Sequence, residues 1–130
     1  MPASPEWYDL CALVARKRFE DAAALLARQP SLRNAVNGLG ETVLHYLAVE
    51  NDGEGVSWLS SQGFDINTRN LFGDPVVFEV AQLDYRDLLQ WFIWKGADLK
   101  CKGAEGKNIK EYVLNFGHED IAKHLESLGI

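Results

Sequence analysis

The chain has 130 residues, 47% of them hydrophobic and 25% charged, which is enough apolar sequence for one buried core and too much for a disordered segment. Its 13 Lys and Arg are outnumbered by 19 Asp and Glu, and the resulting charge of −6 has the wrong sign for a partner made of nucleic acid or anionic membrane. The two cysteines, Cys11 and Cys101, lie far apart without a CxxC, so they build neither a disulfide framework nor a zinc knuckle and fit a reducing, cytoplasmic setting. No apolar run approaches the roughly 20 residues of a bilayer span. Residues 1–6 carry no Lys or Arg and lead into no apolar stretch, so a secretory leader is not expected either.

Leu13, Val14 and Ala15, followed by residues 19–28, carry the apolar pattern of two consecutive helices, closed by Gln29, Pro30 and Ser31. Beyond them the glycines become periodic. Gly40, Gly73 and Gly106 are 33 residues apart, and so, in a second register, are Gly63, Gly96 and Gly129. That interval predicts units of two helices joined by β-turns, each unable to bury its apolar faces alone and therefore stacked on its neighbours. The first helix of each unit is expected over 42–50, 75–83 and 108–116, with Thr42 and Asn108 as N-caps and Pro75 in a first turn. The second is expected over 54–62, 86–95 and 119–128, each closed by a glycine that adopts the left-handed conformation. The fold class expected is all-α, a single domain over 1–130 with units at about 5–35, 36–67, 68–100 and 101–130.

Three segments resemble the ankyrin repeat. Gly40-Glu41-Thr42-Val43-Leu44-His45 resembles the family's G-x-T-P-L-H with Val in place of Pro, Gly117-His118-Glu119-Asp120-Ile121-Ala122 resembles G-H-x-x-I-V, and Lys95-Gly96-Ala97-Asp98-Leu99 resembles x-G-A-D-V. The resemblance implies a helix-turn-helix solenoid with β-turn fingers, four repeats of which the outer two are degenerate, and a protein as partner. It also implies that His45 and His118 serve turn and inter-repeat hydrogen bonds. In the third unit Asp74-Pro75-Val76-Val77-Phe78 replaces T-P-L-H, so a looser turn is expected there. The polar helix face around Lys123, Glu126 and Ser127 suits a terminal, capping unit.

No catalytic constellation, metal or cofactor site is expected. His118-Glu119 and His124 are six residues apart rather than the four of a zinc-binding H-E-x-x-H helix, which places the two rings on different faces. Cys11 belongs to an apolar helix face and Cys101 to a linker without a neighbouring base. The glycines never cluster into a phosphate-binding loop. His124 is expected at the surface.

What remains is recognition of another protein by an array that is monomeric when unbound. Residues 36–67 hold five acidic side chains, Glu41, Glu50, Asp52, Glu54 and Asp65, and no Lys or Arg, which would steer a basic partner there. Mapped onto the ankyrin pattern, Glu41, Leu71, Phe72 and Asp74 fall on the turn fingers. Glu50, Gln82, Leu83 and Phe116 fall near the ends of inner helices, with Tyr46 extending the surface. Leu71 and Phe72 either stand free as apolar anchors or fold back onto Val36 or the neighbouring turn. Trp58 and Trp91, again 33 apart, are expected to pack between units, whereas Trp94 is expected on the convex side. A small acidic array of this kind resembles the ankyrin-type immunity proteins of bacterial toxin systems, which mask a basic toxin enzyme. An adaptor linking a larger assembly is the alternative reading.

Overall fold

The computed structural model describes residues 3–130. Among them the fold is all-α: eight α-helices and two 3-10 turns, with no strand and a single isolated bridge between Arg69 and Pro75. The helices are α1 (Pro5–Ala15), α2 (Phe19–Arg28), α3 (Val43–Val49), α4 (Gly53–Ser61), α5 (Val76–Gln82), α6 (Arg86–Trp94), α7 (Ile109–Asn115) and α8 (Glu119–Ser127). Each odd-numbered helix packs on the even-numbered helix that follows it, and α1, α3, α5 and α7 also touch in succession. None of the helices is long and apolar enough to cross a membrane.

The helices match the expected ranges to within one residue, α4 starting one residue early at Gly53, because their flanking residues are caps. Thr42 Oγ1 accepts from His45 N at 3.2 Å, and Asn108 and Glu111 exchange side-chain-to-backbone bonds of 2.8 and 3.0 Å in a capping box. Pro75 is itself the N-cap of α5, one position earlier than a first-turn proline. Gly63, Gly96 and Gly129 close α4, α6 and α8 with φ of +95°, +83° and +83°. A further left-handed register lies in the links inside each pair, at Lys17, Asn51, Asp84 and Gly117; only the last is a glycine, so the sequence hides this register.

Single helices of 7–11 residues are marginal alone, and packing supplies what propensity does not. The core runs the length of the chain, through Trp7, Leu10, Val14, Leu26, Leu44, Leu59, Phe78, Phe92, Ile109 and Leu125. Trp58 stacks on Phe19 at 5.2 Å and Trp91 meets Phe92 edge-on at 5.1 Å, but both stay half-buried at the rim of this core.

The loops between pairs contain three equivalent turns, closed by Gly40 N to Asn37 O (3.0 Å), Gly73 N to Asn70 O (3.0 Å) and Gly106 N to Gly103 O (3.2 Å). In the first two an asparagine holds the turn from inside. Asn37 Oδ1 accepts from Leu39 N and Glu41 N, both at 3.0 Å, and Asn70 Oδ1 accepts from Phe72 N and Asp74 N at 3.0 and 3.1 Å. The third unit's turn is therefore not loosened by the loss of Thr and His, because Asn70 does that work and Arg69 Nη1 adds bonds to Gly73 O and Lys102 O. Adjacent turns are also joined, Leu71 N donating to Leu39 O at 2.8 Å.

Two of the three turn glycines differ in a testable way. Gly40 and Gly73 both have positive φ, +74° and +86°, but a Cβ on Gly40 would run into the Leu71 backbone, while one on Gly73 meets nothing. Gly73→Ala is expected to cost about 1–2 kcal/mol, the penalty of left-handed backbone. Gly40→Ala is expected to cost a further 1–3 kcal/mol, roughly, for displacing the neighbouring turn. Urea unfolding of the two variants checks the order.

Candidate functional site

Two places gather polar and aromatic side chains: a buried network between α3 and α5, and an open groove between α1 and α3. Both begin at Asn37. Its Nδ2 donates to Glu41 Oε1 at 2.9 Å, and Glu41 is only 7% exposed. Glu41 Oε2 lies 4.0 Å from His45 Nε2, which approaches Glu79 Oε1 at 3.1 Å, and the same Glu79 oxygen accepts from Asn70 Nδ2 at 2.7 Å. The two turns are thus tied to each other through a completely buried imidazole.

This network corrects the expectation for Glu41, which is not presented on a finger. Its carboxylate turns inward, because the Asn37 amide and the buried imidazole offer it partners that water would otherwise supply. Asp74, at the equivalent position of the next turn, is half-buried and accepts from Ala104 N at 3.0 Å, so it ties its own turn to the next. His45 keeps a structural role, reaching the next unit through Glu79, with its Nδ1 left buried and unpartnered. The donor atoms of Glu41, His45 and Glu79 lie within 4.8 Å of one another, a spacing that could surround a cation. The Asn37 amide already occupies Glu41 Oε1, and the Asn70 amide and the imidazole share Glu79 Oε1, so these side chains are engaged with one another as a hydrogen-bonded network.

The groove is the larger opening, about 710 Å³, and runs from Asn37 along Trp7, Tyr8, Cys11, Ala12 and Ala15 on α1 and Tyr46, Leu47 and Glu50 on α3 to Asp52. Trp7 is buried beneath it and meets Tyr8 and Tyr46 edge-on, with ring centroids 5.1 and 5.5 Å away. Glu50 is the exposed C-cap of α3, where a carboxylate faces the negative end of the helix dipole rather than a counter-charge. Its charge, followed by partial burial, raises the pKa of the Tyr46 hydroxyl above the ordinary tyrosine range. Asp52 caps α4 through Gly55 N at 3.0 Å. The nearby Glu54 is paired with Lys17 at 2.9 Å.

The other expected contact residues are scattered. Leu71 and Phe72 are 68% and 64% exposed: the turn backbone docks on its neighbour while the side chains stand free, with Leu39 and Val36 also exposed. Gln82 is half-buried, its Nε2 within 3.5 Å of His118 Nε2, and Leu83 is exposed at the end of α5. Phe116 is half-exposed, tilted on Tyr112 at 5.2 Å and stacked on His118 at 6.4 Å. His118 is the N-cap residue of α8 but makes no side-chain cap bond. His124 is half-buried rather than on the open surface. Trp94 stands 78% exposed with Lys95 Nζ 5.5 Å from its ring centroid. Trp7 and Tyr8, which the sequence reading passed over, belong to the groove; their signal is an aromatic pair opening the first helix. Neither a protein-family model nor a curated protein sequence matches the chain.

The two thiols differ in kind. Burial, and secondarily the charge of Glu41, pushes Cys11 up from 9.0 to about 12, whereas Cys101 is half-exposed with Sγ 3.4 Å from Asp98 O. A thiol held protonated by folding contributes stability below its ordinary value of 9.0, and this is lost as pH climbs through about 12. The raised hydroxyls of Tyr46 and Tyr112 act in the same alkaline direction. A disulfide reagent at pH 8 is therefore expected to titrate Cys101 promptly and Cys11 only after denaturation. Equal rates in the native protein would contradict the burial of Cys11.

Proposed function

We propose that the chain is a non-catalytic protein-binding module of ankyrin type that docks a basic partner on its acidic and apolar face and inhibits it, as an immunity protein does. The observation that carries this reading is the unequal fate of the five carboxylates in residues 36–67. Glu41 is consumed by the buried network, Glu54 by Lys17 and Asp65 by the Asn67 backbone, whereas Glu50 and Asp52 border an aromatic groove whose lining has no Lys, Arg or His. The exposed Leu39, Leu71 and Phe72 add apolar anchors on the turns. The ankyrin reading is supported by the glycine period of 33, the three equivalent turns and the capping Thr42 with His45 three residues on. An inhibitor needs one face only. The exposed Trp94 is the observation that favours the alternative, an adaptor with a second contact surface.

Capture of the partner from a lysate of the source cells, followed by kinetics on the purified pair, tests the reading. Glu50→Lys is expected to slow association about tenfold at low salt and to flatten its salt dependence. Leu71→Ala with Phe72→Ala is expected to speed dissociation by a similar factor, roughly tenfold. A partner silenced in the complex fits the inhibitor, and one that stays active and needs Trp94 fits the adaptor. Unchanged kinetics in both variants would move the contact to another face.

A further inference from the structure

We propose that the groove between α1 and α3 takes an arginine side chain of the basic partner, its guanidinium stacked against Tyr8 and Tyr46 and paired with Glu50. The inference rests on the protein-binding reading above and names the group that the site recognises. Three observations select this occupant. The first is charge: no Lys, Arg or His lies within ion-pair distance of Glu50 or Asp52 among the described residues, although Lys17 reaches Glu54 close by. A neutral apolar ligand would cover these carboxylates without replacing their water, and an anion would be repelled, so a cation is the occupant that the groove favours.

The second observation is the aromatic lining. Tyr8 is half-exposed and Tyr46 partly so, both are edge-on to the buried Trp7, and both line the groove that Glu50 and Asp52 border. A planar guanidinium is weakly hydrated, lies flat on a tyrosine face and offers a two-pronged donor to a carboxylate. A lysine ammonium is a strongly hydrated point charge and does neither as well. The third is size. About 710 Å³ exceeds one side chain, so the groove accommodates the arginine together with its flanking backbone. The Trp7 indole N–H, buried without an acceptor, sits in the floor residue and supplies a local reporter of occupancy.

The test is a titration of the ¹⁵N-labelled chain with an acetylated and amidated hexa-arginine peptide, beside its hexa-lysine and hexa-citrulline counterparts. Saturable shifts of the Trp7 indole and Tyr46 amide resonances are expected with the arginine peptide. Binding is expected to be several-fold weaker with lysine and absent with citrulline, which keeps the shape and removes the charge. Glu50→Gln, at an exposed cap that leaves the core untouched, is expected to weaken the arginine peptide about tenfold, and Tyr8→Ala to weaken it about threefold. Shifts confined to Leu39, Leu71 and Phe72 would overturn the groove assignment while leaving a basic partner in place. Equal affinity for lysine would overturn the choice of arginine. Failure of all three peptides would overturn cation recognition, and the capture experiment judges the protein-binding reading independently.

Discussion

A histidine with no exposed surface, set between Glu41 and Glu79, is the contact on which the middle of this chain depends. Removing charged groups from water is costly, and a buried pair repays the cost only when its remaining hydrogen-bonding capacity is filled. Asn37 and Asn70 supply part of it here, each from inside a turn that it also closes, while His45 Nδ1 stays unpartnered. The turn that Asn70 closes, α5 and α3 are therefore one hydrogen-bonded unit, with the Glu41 carboxylate 4.0 Å from the same imidazole. Loss of any member would leave a buried polar group unpaired, which is more damaging than never having had the network.

The same arrangement decides which carboxylates remain for recognition. Glu41 and Glu50 look alike in sequence, nine residues apart on either side of α3. One precedes the helix and turns into the network, and the other ends it, facing the groove that Asn37 also lines. Around Glu50 the neighbours are aromatic rather than basic, and the negative charge stays uncompensated. The acidic character of the second unit thus resolves into carboxylates engaged within the fold and Glu50, which faces the groove beside the capping Asp52.

Much of the fold was legible because it is local and periodic. Glycines at an interval of 33, the caps Thr42 and Asn108, and the closing Gly63, Gly96 and Gly129 each act within a few residues of themselves. What stayed hidden depends on partners a full period away. Glu41 reads as an exposed finger until Glu79 is brought up against His45, 34 residues on. Asn37 and Asn70 also share the 33-residue spacing, but asparagine is common in any loop and carries no mark of its role. Of the expected contact residues, Leu71 and Phe72 stand free because their turn docks through backbone, whereas Asp74 is spent on Ala104 N. The groove itself was invisible, since its two walls come from helices separated by all of α2.

A double-mutant cycle on His45→Ala and Glu79→Ala, read by urea unfolding, addresses the central contact most directly. If the imidazole and the Glu79 carboxylate bind α3 to α5, the two losses are strongly non-additive, with a coupling of about 1–3 kcal/mol. Losses that add to within about 0.5 kcal/mol would mean that the two groups are independent and that packing alone joins the helix pairs.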